Sequence, residues 1–494
     1  MADVLVVGAG SAGAVAAARL VEAGLRVTLV EAGPDYGPID GGGWPNDLLD
    51  ATGIPETHDW GYAGASGEGR PMPFERARVI GGCSSHNGCA QCAGWRGDYD
   101  AWAAAGCPGW SGADLEPLFT AVASRMRFRR YRETEIQPFQ RAFLEAVTAA
   151  GVPRTDDLDD LDGGAGCGCP PVNIAGSTRR NAAAAYLDPL RDGGRLRVLG
   201  DARVDRLELR GGRCHGARVV VDGSETLIRA GETIVSAGTY GSPEILLRSG
   251  VGPAGDLAAL GIPVAADRPG VGAGLRDQPA SELEFAATAE LRADLEAFAG
   301  GCFMPQEQAI AKLGPDAGAP YAFHLYPWVA PDAGIPEGWM VALPVALLRP
   351  RSSGQLRLRS RAAADPAQVE HGYLSDPDDV AELAGALRGV LDLVAAEPLA
   401  RYLGRPLALP AGDDDSSVEG FVRGRHRHYY HPTGTCRMGP SGDTSAVVDH
   451  RCRVYGLEGL RVADASVFPQ PPRSTTAWPT AVVGERVAQL VAAG

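Results

Sequence analysis

The opening of the chain is patterned in short apolar runs around one alanine-rich stretch. Asp3 to Val7 and Arg26 to Val30 are dense in valine and leucine and predict two buried strands. Between them, Ser11 to Ala23 carries small apolar residues along a helical stretch. Strand, helix and strand in so short a span predict a βαβ unit and a parallel sheet. Further helices are predicted over 112–126, 138–151, 181–192, 376–397 and 481–491. From Leu196 to Ala237 polar and apolar positions alternate in runs parted by glycine turns, which predicts a β-meander closing into a strand at Thr233–Ser236. Residues 34–75, rich in Gly, Pro and Asp, predict an excursion from the sheet; residues 284–376 mix aromatics with strand-like runs; Gly459–Ala463 predicts a short late strand.

Composition narrows the function classes. The chain has 494 residues, 45% of them apolar, enough for two domains or one large interrupted one. Its 66 glycines and 37 prolines follow no period, which points to many tight turns. A net charge of -15 with a pI near 5.1 disfavours nucleic acid or an anionic membrane as the main partner. Of ten cysteines only Cys89/Cys92 and Cys167/Cys169 are close in sequence, and neither pair has further Cys or His at metal-ligand spacing, so no metal is expected. Met1 leads straight into the first strand pattern, without a basic leader and cleavage site, and no apolar run has the length of a membrane span. The expectation is a cytoplasmic protein with reduced thiols.

Gly8-Ala-Gly10-Ser-Ala-Gly13 lies where the first strand turns into the helix. Glycines there permit a sharp turn, close approach of backbone to a pyrophosphate and tight helix packing, so Gly8, Gly10, Ser11, Ala12 and Gly13 are the expected phosphate-side residues. Glu31 ends the second strand, where a carboxylate can hold ribose hydroxyls. This establishes a dinucleotide site without choosing between NAD and FAD. A second glycine-rich run, Arg78-Val-Ile-Gly-Gly-Cys-Ser-Ser-His86-Asn-Gly, places one histidine among small residues where a planar cofactor could press against backbone.

Four ordered motifs make that choice by resemblance: the N-terminal glycine turn, Arg78 to Asn87, Gly238 to Gly252, and His431-Pro-Thr-Gly-Thr-Cys-Arg-Met-Gly439. In this order they resemble the glucose-methanol-choline (GMC) flavin oxidoreductases over nearly the whole chain, and Val462 to Pro469 looks like that family's returning C-terminal strand. The resemblance implies an α/β fold: a Rossmann-type FAD-binding domain built from discontinuous segments (1–145, 184–283 and 438–494) and an α+β substrate domain with an antiparallel sheet (146–183 and 284–437). It implies FAD contacts at Arg78, Gly82, His86, Asn87, Val204, Asp464 and Ala465. His86 replaces the apolar residue usual before Asn87. This resembles the choline-oxidising branch of the family and implies a covalent bond to the flavin 8-methyl carbon.

The same resemblance implies oxidation of an alcohol, with hydride passing to flavin N5. A neutral imidazole suits removal of the hydroxyl proton, and His431, which begins the last motif, is the expected base, with Tyr430 beside it. His426 and His428 read as a basic surface cluster. The family's second catalytic residue, Asn or His, falls at Thr475, which can orient a hydroxyl but is no base at neutral pH. Trp60 and Tyr430 match aromatic positions of the substrate pocket, while Glu282, Glu284 and Glu307 are candidates for its carboxylate, and the stretch from Tyr321 to Trp328 has two readings, a lining of the cavity or, as aromatics in a strand more often are, core. The expected substrate is a polar primary alcohol such as an aminosugar, a sugar or a choline-like compound, oxidised to the aldehyde, with O2 or another electron acceptor reoxidising the flavin and O2 the favoured one. The other readings are a hydroxynitrile lyase of the same fold, holding FAD without reducing it, and a non-redox flavin-binding protein.

Overall fold

The structure is a computed structural model describing residues 2–65, 69–314 and 318–493. Its first sheet is built around the strand Ala2–Val7, which pairs in parallel with Val27–Val30 on one side and Ser224–Val235 on the other. Leu196–Leu199 and Leu460–Val462 extend this sheet in parallel at its two flanks. Val4 to Val7 are buried on both faces, as in a parallel sheet covered by helices. One cover is the helix Ser11–Glu22, and Ala477–Ala492 packs against it. Small side chains set that approach: a Cβ on Gly484 would strike Ala12 O and fall 2.9 Å from Val15 Cβ. Glu485, buried in the same contact, accepts from Arg19 Nε at 2.9 Å and from the Tyr186 hydroxyl at 2.9 Å.

The region read as one meander is divided. Leu196–Leu199 is a parallel edge strand of the main sheet, while Ala202–Arg210 and Arg213–Val221 form an antiparallel ladder with the first half of Ser224–Val235. An edge strand with one solvated face alternates just as a meander strand does, so period-two patterning could not reveal its direction. The two short runs expected around Gly231 are one continuous strand, Ser224–Val235. Its partner changes from Arg213–Val221 to Ala2–Val7 midway, and Gly231 keeps the chain extended there.

The second sheet has antiparallel order: Leu403–Ala408, Pro279–Ala287, Trp339–Leu347, Phe323–Leu325, Ile310–Leu313, Gly166–Gly168. Trp328–Pro331 and Arg427–His428 pair alongside. Pro279–Ala287 runs across the boundary expected at 283/284 and belongs to this sheet as a whole. A small third sheet joins Ala63–Ala65 and Pro71–Pro73, from the predicted excursion, to Gln368–Glu370, Gly354–Arg357 and Ala273–Leu275.

Candidate active site

A cavity of about 1050 Å3 lies between the two large sheets. Val7, Val30 and Ser236, at the carboxyl ends of the parallel strands, line one part; Ala280, Trp328 and Pro344, from the antiparallel sheet, line the other. The crevice beyond the carboxyl ends of parallel strands is where open α/β sheets bind ligands.

At the first end two glycine turns cross. Gly8 has φ +97° and a Cβ there would strike Ser236 O, while a Cβ on Gly13 would strike Gly8 O. Gly10, Ser11 and Ala12 line the cavity at the helix N-terminus, whose free N–H groups favour anions. Gly82, with φ +53°, passes so near that its Cβ would fall 2.6 Å from Gly10 Cα. Glu31 is buried and accepts the Ala9 and Gly33 N–H groups, each at 2.9 Å; burial pushes its carboxyl up to about 7. Val204, Asp464 and Ala465 line the wall; the Asp464 carboxylate accepts from Gly238 N and Ser466 N at 2.9 and 2.8 Å, tying the end of the late strand to the N-terminus of the helix Gly238–Arg248.

Two expected residues sit outside that wall. Gly13 packs the helix onto the turn, and Arg78 donates to Ala32 O at 3.2 Å. The Arg78 and Arg203 guanidinium groups approach the Trp60 ring at 5.1 and 5.7 Å, so this cavity-lining tryptophan is engaged by two cations.

His86 follows the turn Gly82–Ser85 and lines the cavity, 8% exposed. Its Nε2 is buried with no hydrogen-bond partner among the described residues, and burial lowers the ring to about 4, which leaves a neutral imidazole. Asn87, also in the wall, accepts the Cys89 N–H on Oδ1 at 3.2 Å.

At the far end, His431 Nδ1 lies 2.6 Å from Gln278 Oε1 and the His431 N–H donates to Asp277 Oδ1 at 2.8 Å. The His431 ring packs on Tyr429 at 4.3 Å between centroids. Burial, with Arg76 and His428 nearby, lowers His431 to about 3. Tyr430, just before it, is in the left-handed region at φ +64°, and its carbonyl accepts from Arg76 Nη1 at 3.0 Å. A tyrosine held there stores backbone strain beside the reactive ring. Thr475 shares the wall, with its hydroxyl engaged by the Ala90–Cys92 backbone.

The surface reading of His426 and His428 is corrected. They are 1% and 8% exposed, and His428 lines the cavity with Nε2 3.0 Å from Pro73 O. The arginines around them reach solvent while the imidazoles pack inward, a division that composition alone does not reveal. The Tyr321–Trp328 stretch also divides: Tyr326 and Trp328 line the cavity, whereas Tyr321 and His324 are fully buried outside its wall. Of the acidic candidates, Glu284 is outside the wall and Glu282 pairs with Arg427 at 2.5 Å. Glu307 lines the cavity with no hydrogen-bond or ion-pair partner among the described residues, and burial pushes it up to about 8.

The sequence patterns of the GMC oxidoreductases match residues 2–280 and 350–484. The chain belongs to the GMC oxidoreductase family. This GMC oxidoreductase is 32% identical over 534 residues to an oxygen-dependent choline dehydrogenase of Brucella anthropi, covering 99% of this chain and 95% of that protein. It is 33% identical over 545 residues to a 5-(hydroxymethyl)furfural oxidase of Methylovorus sp., covering 99% and 98%. Among solved structures it superposes on pyridoxine 4-oxidase from Mesorbium loti with a TM-score of 0.88 at 26% identity, over 99% of both chains. It is therefore an FAD-dependent oxidoreductase acting on alcohols.

The residues present fit FAD. Crossed glycine turns leave backbone bare for a pyrophosphate, the Glu31 carboxyl lines the same end of the cavity, and His86, whose Nε2 has no hydrogen-bond partner among the described residues, also lines it. Asp277, Gln278 and Arg76, all in contact with the His431 segment, were not legible beforehand. Asp277 and Gln278 precede the strand Pro279–Ala287 more than 150 residues earlier, and no local pattern links them to His431.

Proposed function

We propose that this enzyme oxidises a primary alcohol carrying a cationic amine to the aldehyde, with O2 as the acceptor. Glu307 carries the reading. It is a carboxyl group unpaired among the described residues, in a partly aromatic chamber with Tyr326 and Trp328, while Glu75 and Glu282, which line the same cavity, face His428 and Arg427. An ammonium group would supply the missing charge, and aromatic faces favour the same ligand. When bound, FAD supplies the hydride acceptor. His431, held neutral, takes the hydroxyl proton as the carbon-bound hydrogen leaves. Thr475 lines the same cavity.

His86 Nε2 is the proposed point of covalent attachment, because it is neutral, buried and without a protein partner. Acid precipitation should leave the flavin on the polypeptide and release it from His86→Asn; free flavin from the wild type would end this assignment. The names of the relatives, one oxygen-dependent and others oxidases, support O2.

An anaerobic panel of amino alcohols and their neutral isosteres, scored by flavin bleaching and then by peroxide on admission of air, tests the substrate class. Cationic alcohols should give the highest kcat/KM. Faster bleaching by a neutral aryl alcohol than by every cationic one would overturn it. No bleaching by any alcohol would instead favour the lyase reading.

A further inference from the structure

We infer that Gln278 is a positioning residue that fixes His431 in one tautomer, Nδ1 protonated and Nε2 bare, and so aims the basic nitrogen at the substrate. The inference rests on His431 being the proton acceptor, whichever alcohol is oxidised.

The argument begins with the Gln278 amide. Its Nε2 lies near three backbone carbonyls, Leu348 O at 3.0 Å, Pro472 O at 3.1 Å and Ser474 O at 3.3 Å. Carbonyls only accept, so the NH2 group must face them and the amide oxygen must face the other way. That oxygen lies 2.6 Å from His431 Nδ1. An amide oxygen has no proton to give, so Nδ1 must donate. Gln278 is completely buried, and exchanging the two ends of the amide would set its oxygen against carbonyl oxygens.

A neutral imidazole protonated on Nδ1 has its lone pair on Nε2. His431 lines the cavity, and its Nε2 has no protein partner among the described residues. The main chain reinforces the setting. Asp277 Oδ1 accepts both the His431 and the Gln278 N–H groups, at 2.8 and 2.7 Å, while the Tyr429 N–H donates to Gln278 O at 3.0 Å. Two adjacent residues thus hold the backbone and the ring of the histidine segment together.

The Gln278 amide also joins three parts of the molecule. Leu348 follows the strand Trp339–Leu347 of the antiparallel sheet, and Pro472 and Ser474 lie in the loop leading to Thr475 and the last helix. A neutral amide makes this arrangement independent of pH, unlike a carboxylate or a second imidazole in the same place.

Nitrogen-15 NMR of the histidine-labelled holoenzyme, with His431→Asn used to assign its signals, reads the tautomer directly. The expected result is a protonated Nδ1 and an unprotonated Nε2 at neutral pH. A proton on Nε2, or rapid averaging of both forms, overturns the inference. In Gln278→Met the acceptor is gone at similar side-chain length, and the unpartnered Nδ1–H favours the opposite tautomer. Anaerobic flavin reduction at saturating substrate should then fall about 10- to 100-fold with little change in KM, and Gln278→His should recover part of the loss. A variant whose histidine signals and saturating rate match wild type would overturn the inference. If Gln278→Met does not fold, the wild-type spectrum alone decides.

Discussion

The Thr475 hydroxyl accepts the Cys92 N–H at 3.1 Å and turns its own proton toward Ala90 O at 3.5 Å. Both hydrogen-bonding roles of this side chain are taken up by the Ala90–Cys92 backbone. Thr475→Val should therefore cost stability, by about 1–3 kcal/mol for the orphaned Cys92 N–H, and leave the reductive rate within about tenfold of wild type. His431→Ala should lower that rate by about 10²- to 10⁴-fold. Denaturant unfolding and anaerobic stopped-flow separate the two effects; equal rate losses would make Thr475 a reacting group.

His431 is held at about 3 by burial and by Arg76 and His428, so its protonation lies far below neutrality. The rate of flavin reduction at saturating substrate should show no histidine ionisation between about pH 5 and 8. The sign for stability follows from the same displacement. The folded-state value is below the unfolded one near 6.5, so the contribution is present above about 6.5 and is lost as pH falls toward 3. Unfolding of His431→Asn should depend less on pH over that range than wild type.

Glu307 behaves in the opposite sense. Burial raises its carboxyl from 4.5 to about 8, so its contribution to stability is present below about 4.5 and is lost as pH rises through 8. Glu307→Gln should escape that alkaline loss in a thermal scan. For a cationic alcohol it should also raise KM by roughly 30-fold or more, the cost of removing one partner from a buried charge pair. With wild type, kcat/KM for the cationic alcohol should climb with pH through about 8, and a neutral alcohol should show no such climb.

Gly82→Ala tests the crossing of the two turns. The new methyl would need to occupy space 2.6 Å from Gly10 Cα at a backbone angle of φ +53°. Neither backbone can yield without moving the cradle. The variant should purify with little flavin, seen in the ratio of visible to ultraviolet absorbance. Alanine at Gly255, where the added carbon meets nothing within 4 Å, should retain it.

What could be read beforehand was whatever depended on neighbours in sequence. The βαβ opening is local, its turn requires glycine, and the helices Gly112–Met126 and Pro377–Val394 show their apolar faces within a few turns. His86 and His431 stood out because the motifs around them resembled those of a known family. The remainder arose from contacts between distant segments. Nothing near Gln278 signals that its amide will meet Ser474 O and His431 at once, and nothing near His428 signals that its ring turns inward while Arg427 reaches solvent. The direction of Leu196–Leu199 escaped for the same reason, since a strand's partners are chosen by the whole sheet.

The strand Leu460–Val462 lies in parallel beside Thr233–Val235, and Asp464 follows it directly into the cavity wall. During synthesis the other four parallel strands emerge more than two hundred residues earlier. They must wait with one flank bare, a state in which strands recruit unintended neighbours. The parallel sheet, and with it the cavity wall at Asp464, is therefore complete only once a segment made more than two hundred residues after the other four strands has joined them.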